Sequence, residues 1–226
     1  MNIAAILAAG SGQRLGSSLP KQFIEINGKP LIAHTLECFQ NHSGIDEILV
    51  VTAKEHFAKM EEIKRQYHFS KLTRCIEGGS ERHLSSRHAV WACVNEEDNL
   101  LLHDAARPNI EKKLLDDILL ALKEYHAVAI GVPATDTIYQ TDERQRIAAV
   151  PNRNRLWLAQ TPQSFRVGTI KQAFELSAQD PDFVPTDDIS LVVKYLPGEN
   201  VKLLEGNPRN FKITYAEDLK RLKSEQ

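Results

Sequence analysis

The residues that could do chemistry gather first in ILAAGSGQRLGSSLPKQF (6–23). There an apolar run leaves through Gly10, Gly12 and Gly16, with Arg14 and Lys21 among and beyond the glycines. A buried strand ordinarily exits through a short polar turn. Glycines followed by cations instead suit a loop whose backbone N–H groups approach an anion closely, while nearby side chains add positive charge. That is the chemistry of a phosphate cradle. Two common versions are excluded by spacing. Position 15 is Leu, so the G-x-G-x-x-G dinucleotide pattern fails, and a nicotinamide-dependent oxidoreductase falls with it; a G-x-x-x-x-G-K-[ST] loop is also absent. A second candidate lies in HDAARP (103–108), where Asp104 ends an apolar run between His103 and Arg107. A carboxylate buried there needs a partner. Arg107 is one; Mg²⁺, which takes a carboxylate or two together with phosphate oxygens and water, is the other. His34, His83 and His88 show no ligand spacing.

These groups need elements to hold them. IAAILAA (3–9), EILVVTA (47–53), NLLLHDA (99–105) and AVAIGVP (127–133) have the continuous hydrophobicity of strands covered on both faces. The intervening segments 30–41, 54–68, 81–95 and 111–125 carry apolar residues at helical spacing, with Leu114, Leu115, Ile118, Leu119 and Leu122 forming one stripe. Such alternation predicts a Rossmann-like α/β fold: a mainly parallel sheet with helices on both faces. Ligands then sit beyond the carboxyl ends of the strands. Three strand exits are polar, glycine-rich or charged: Gly10–Arg14, EGGSER (77–82) after a short strand near 73–76, and HDAARP. The stretch 134–157 breaks the rhythm. Strand-like pieces at 135–140 and 146–150 flank the turn TDERQR, which predicts a projecting β-hairpin arm. An isolated hairpin is barely stable in water, so it must pack on something else. Further on, a helix near 167–178, a capped segment at TDDIS (186–190) and a strand near 200–204 precede NFKIT (210–214) and a final helix.

Composition narrows the class. The chain of 226 residues suits one large domain, 1–226 with the arm inside it. A net charge of −2, with both signs interspersed, gives no footprint for nucleic acid or a membrane surface. No apolar run reaches the ~20 residues that span a bilayer, and the first apolar segment lacks the form of a signal peptide. Cys38, Cys75 and Cys93 are odd in number without C-x-x-C spacing, which argues against a disulfide framework or a zinc site. A cytoplasmic location is expected.

The run L-A-A-G-x-G-x-R followed by P-K-Q resembles the signature of nucleotidyltransferases that join a nucleoside monophosphate to a sugar or polyol phosphate. GGSERHLSS, HDAARP, DTI, NRNRLWLAQTPQSF, TDDIS and EGNPRNFKIT then follow in the order seen in the 2-C-methyl-D-erythritol 4-phosphate cytidylyltransferase family. The resemblance runs from Ile6 to about Thr214 and implies the nucleotide-diphospho-sugar transferase type of fold. It also implies transfer of CMP from CTP to methylerythritol phosphate, with release of pyrophosphate. The alternative is ribitol-5-phosphate cytidylyltransferase, which shares the skeleton; a catalytically silent nucleotide sensor would have to have lost its cations.

Residue by residue, the resemblance implies that Ala8, Ala9, Gly79, Ser80 and Ser85 line the cytosine and its ribose, with Gly10 and Gly12 at the triphosphate. Ser80 stands where the family often has Asp, and it would cap the following helix. Arg14, Lys21 and Lys212 would be the catalytic cations, Lys212 reaching the α-phosphate from a late strand. Asp104 would face Mg²⁺. Arg107, Thr137, Arg153 and Thr186 would hold the acceptor, Thr137 and Arg153 from an arm that crosses to a second subunit of a homodimer. Tyr139 replaces a frequent Lys beside that site. The attacking group is a phosphate monoester with a second pKa of about 6, so it is already largely dianionic and no general base is expected. Charge and position carry such a reaction.

Overall fold

Alternate residues of β1 (Asn2–Leu7) enter opposite cores. Ala4 and Ile6 join Ile48 and Val50 on one face; Ile3, Ala5 and Leu7 join Leu49 and Val51 on the other. That period of two, apolar on both sides, is why these short runs become central strands rather than helices. The computed structural model describes residues 1–10, 19–180 and 182–225. Gly12, Arg14 and Gly16 lie outside them.

After β1 come a two-residue ribbon, β2 (Glu25–Ile26) and β3 (Lys29–Pro30), and then α1 (Leu31–Gln40). The chain continues through β4 (Glu47–Thr52), α2 (Phe57–Gln66), β5 (Leu72–Glu77), α3 (Arg82–Ala92), β6 (Asn99–Asp104) and α4 (Lys112–Ala121). It then forms β7 (Ala127–Pro133), a small hairpin of β8 (Gln140–Thr141) and β9 (Ile147–Ala149), and the long β10 (Trp157–Arg166). Helices α5 (Val167–Ser177) and α6 (Asp188–Tyr195), strand β11 (Val201–Glu205) and helix α7 (Ala216–Glu225) complete it. The main sheet has the order β11-β7-β10-β6-β1-β4-β5. All neighbours pair in parallel except β10, which runs antiparallel between β6 and β7. Residues of α1, α2 and α4 cover one face; those of α3, α5 and α6 cover the other.

The expected parallel α/β architecture is present, with differences in detail. The stretch 54–68 divides into a single 3-10 turn at Lys54–His56 and α2. The arm pairs only at β8 and β9, shorter than the strands expected at 135–140 and 146–150. Thr137 therefore precedes the hairpin, and Arg153 follows it in a 3-10 turn, Arg153–Arg155. Residues 210–214 are not a strand. They are pinned instead by Ile213, fully buried beside Ile26, Leu31, Ala106 and Leu222, whose N–H donates to Ala106 O at 2.9 Å. Among the described residues no helix is long and apolar enough to cross a membrane.

Candidate active site

Because β6, β1, β4 and β5 are adjacent and parallel, their carboxyl ends open along one edge of the sheet. A cleft of about 330 Å³ lies there. It is lined by the exit of β1 (Ala8, Ala9, Gly10), the turn after β5 (Gly79, Ser80), Ser85 on α3 and Asp104 at the end of β6, together with Lys21 and Lys212. The structure thus gathers nine of the expected site residues. Arg107, Thr137, Arg153 and Thr186 do not line the cleft. Thr137, Arg153 and Thr186 are exposed, and Arg153 Nη1 donates to Thr135 O at 2.8 Å.

The nucleotide side is shaped by short-range bonds. Ser85 Oγ folds back over the turn after β5, accepting from Gly79 N at 3.1 Å and lying 3.2 Å from Glu81 O. The helix N-cap is Glu81, one residue beyond the expected Ser80, and its side chain makes no capping bond. Gln22, 3% exposed, donates from Nε2 to Ala8 O at 2.9 Å, and Ala8 N donates to Val51 O at 2.7 Å. Both backbone groups of Ala8 are therefore engaged within the chain. Gly79 N is engaged in the same way by Ser85 Oγ, and Ala8, Ala9, Gly10, Gly79 and Ser80 all line the cleft.

Asp104 is the electrostatic centre. Its side chain is 9% exposed and meets three cations: Arg82 Nε at 3.1 Å on Oδ1, Lys212 Nζ at 2.8 Å on Oδ2, and Arg107 Nε at 3.8 Å. Burial pushes the carboxyl up, but Arg82, Lys212 and Arg107 together hold it well below the usual carboxylate range. The sequence offered Arg107 or a metal as its partner. The structure puts Arg82 and Lys212 first, while Arg107 spends its Nη1 on Asn210 O at 2.7 Å. Arg82 was missed because its second partner, Asp188, lies 106 residues away; the two meet at 2.8 Å. Its only local sign was an arginine opening a helix beside the glycines of EGGSER.

Below Asp104 sits a neutral histidine. His103 is fully buried, with Nε2 2.9 Å from Arg107 O and Nδ1 3.1 Å from Thr161 Oγ1. A carbonyl can only accept, so Nε2 carries the proton and Nδ1 accepts from the Thr161 hydroxyl. The same hydroxyl accepts from Asp104 N at 3.0 Å. Burial lowers the His103 pKa to about 4. Asp104 is thus set by its backbone from β10 and by its carboxylate from α3.

As a metal ligand Asp104 would act almost alone, since no group of three or more His, Cys, Asp or Glu side chains gathers among the described residues. An ionised carboxylate offers about four lone-pair positions. One on each oxygen is engaged by Arg82 and Lys212. The remainder fit a Mg²⁺ that arrives with phosphate oxygens and water, not one held in a cage of protein ligands.

The family model for IspD, 2-C-methyl-D-erythritol 4-phosphate cytidylyltransferase, matches residues 2–224. A protein of that name from Thermobifida fusca is 38% identical over 222 residues, covering 96% of this chain and 89% of its own length. The bifunctional ribulose 5-phosphate reductase/CDP-ribitol pyrophosphorylase Bcs1 of Haemophilus influenzae is 39% identical over 221 residues; the match covers 96% of this chain and 46% of that protein. Among solved structures, 4-diphosphocytidyl-2C-methyl-D-erythritol synthase from Anaerococcus prevotii aligns with a TM-score of 0.87 and 28% identity, covering 99% of this chain and 97% of the other.

Proposed function

The chain belongs to the 2-C-methyl-D-erythritol 4-phosphate cytidylyltransferase family, and from that premise we propose that it transfers CMP from CTP to 2-C-methyl-D-erythritol 4-phosphate. The products are 4-diphosphocytidyl-2-C-methyl-D-erythritol and pyrophosphate, made for isoprenoid precursor synthesis. The observation that carries the reading is the cleft itself: Gly10 at the exit of β1 and Gly79 after β5, with Lys21, Lys212 and Asp104 converging on one volume.

In this reading the turn after β1 cradles the triphosphate through backbone N–H groups. Ala8–Ala9 and Gly79–Ser80 read the base, the carbonyl oxygens that already accept one bond having a second lone pair. Lys21, Lys212 and Arg14 offset the repulsion between two anions and the charge that develops on the α-phosphate as pyrophosphate leaves. Asp104 is the residue that would hold Mg²⁺, which when bound supplies charge neutralisation on the phosphates. Lys212 leaves Asp104 Oδ2 as it turns to phosphate. The buried neutral His103 orients and does not shuttle protons, in keeping with an acceptor that needs no general base.

The acceptor side is built from the arm. Tyr139, Ile147, Val150 and Leu158 are each more than half exposed, and two paired strands of two and three residues do not sustain themselves in water. A second copy of the chain would cover this surface and receive Thr137 and Arg153 near its own Arg107 and Thr186. In this reading the enzyme works as a homodimer, and the cytoplasm is its expected location.

Ribitol 5-phosphate is the second reading, favoured by the similarity to Bcs1. Pyrophosphate release with CTP and each acceptor in turn tests both. Turnover with methylerythritol phosphate at kcat/KM far above ribitol phosphate is expected. The reverse ranking overturns the acceptor assignment, and equal rates with UTP overturn the cytidylyl one.

A further inference from the structure

Arg82 opens α3 and faces the cleft, yet the steps above give it nothing to do. Its guanidinium joins two carboxylates from distant parts of the chain. Nε donates to Asp104 Oδ1 at 3.1 Å, and Nη1 donates to Asp188 Oδ2 at 2.8 Å. Asp188 is fully buried at the start of α6 and is itself fixed: its N–H and that of Ile189 donate to Gln163 Oε1 at 2.8 and 3.3 Å. Gln163 in turn donates to Asp187 Oδ2 at 2.6 Å, and Asp187 caps α6 by accepting from Ser190 N. The result is a strut from a sheet strand through α6 and Arg82 to the buried carboxylate of Asp104 in the cleft.

A buried ion network is a poor source of stability, since hydrophobic replacements often do as well. It is a good source of orientation, because a planar fork bound at two different nitrogens fixes both partners. We propose that Arg82 is a positioning residue for nucleotidyl transfer. By occupying Asp104 Oδ1 it holds the carboxylate so that Oδ2 faces Lys212 and the phosphates, and Asp188 sets the angle at which it does so. The proposal rests on the reading of Asp104 as a working group in the transfer. A lysine at 82 keeps the charge, but its single ammonium cannot reproduce the two-nitrogen fork.

A double-mutant cycle tests this with Arg82→Lys, Asp104→Asn and the pair, read as kcat and CTP KM, with thermal melts to show that each variant folds. Arg82→Lys is expected to lower kcat about 10- to 100-fold, the scale of a misplaced reacting group, with CTP KM changing less than about threefold. In the Asp104→Asn background the same change should cost less than about twofold, because its effect passes through that carboxylate. Wild-type kcat in Arg82→Lys overturns the proposal, and so do losses that multiply across the cycle. If Asp104→Asn alone turns over at the wild-type rate, the reading of Asp104 fails instead, and Arg82 with it. Asp188→Asn loosens the strut from its far end and carries the same cycle should Arg82→Lys not fold.

Discussion

Thr161→Val removes one hydroxyl of a side chain that keeps nearly the same shape, yet it strips two buried partners at once. Thr161 is 4% exposed; its Oγ1 accepts from Asp104 N at 3.0 Å and donates to His103 Nδ1 at 3.1 Å. His103 cannot recover by changing tautomer, because its Nε2 proton is needed by Arg107 O. Each buried polar group left without a partner costs about 1–3 kcal/mol. The two share one hydroxyl and are not independent, so a loss of about 2–4 kcal/mol is expected. At about 2.1 cal/mol/K of unfolding entropy per residue, 226 residues convert that to roughly 4–8 °C of Tm. Thermal unfolding by calorimetry measures it, with Thr161→Ser, which keeps the hydroxyl, as the control. Because Asp104 N hangs from the same hydroxyl, kcat should fall in Thr161→Val and be largely kept in Thr161→Ser. A Thr161→Val melt indistinguishable from wild type, or a serine variant as impaired as the valine, would refute the argued network.

Acid should destabilise the fold in two separate windows. His103 has a folded-state pKa near 4 against 6.5 unfolded, so the unfolded chain takes the proton first and stability declines as pH falls from about 6.5 to 4, by about 3 kcal/mol in all. Asp104 is depressed below its ordinary 3.8, so its contribution is present above that value and is lost only below it. Urea midpoints at stepped pH read both, and a His103→Gln chain whose slope between pH 6.5 and 4 equals wild type would contradict the first. Gly78→Ala would drive a methyl into the Ala9 Cβ and within 3.1 Å of Ser85 Oγ; it should cost about 1–3 kcal/mol and lower CTP turnover, with Ala9→Gly restoring part of both. Lys21→Ala should lose far more kcat than CTP affinity, measured by equilibrium binding and steady-state rates on one preparation. If the arms cross between subunits, a mixed dimer of Lys21→Ala and Arg153→Ala chains holds one intact site. It should recover about half the wild-type activity, whereas either homodimer is nearly inactive.

Much of this was legible in the residues because the cleft is built from strand ends. A run such as NLLLHDA announces both a buried strand and a carboxylate at its exit, so the place of Asp104 followed from one local pattern. The glycine-rich exits at Gly10 and EGGSER, with Lys21 beyond the first, were marked by the same logic, whereas Ala9 and Gly79 as nucleotide contacts came from the family resemblance. What depends on distant parts of the chain did not. Arg82 and Asp188 are unremarkable letters until α3 and α6 are packed on the same face, and nothing near Thr161 signals that its hydroxyl will serve residues 103 and 104. The strand β10 was hidden because its apolar alternation is interrupted by Gln160, Thr161 and Gln163, polar residues that are buried for the bonds they make. Lys212 needed no strand: the buried Ile213 beside it anchors the segment through Ala106.

The antiparallel strand between β6 and β7 also bears on how the chain reaches its fold during synthesis. The parallel half, β1, β4, β5 and β6, is complete once residue 104 has emerged, but one edge of β6 then has no neighbour until 157–166 arrive. For that interval the nascent chain carries an open strand edge on β6, and β7 emerges with both of its edges open; such edges template pairing with other chains. The polar residues that interrupt β10 keep the late strand itself from being a strongly adhesive segment. Chains interrupted before residue 157 would therefore gather as aggregates, whereas those that reach residue 166 join β6 to β7 and leave one edge of β7 to be covered by β11.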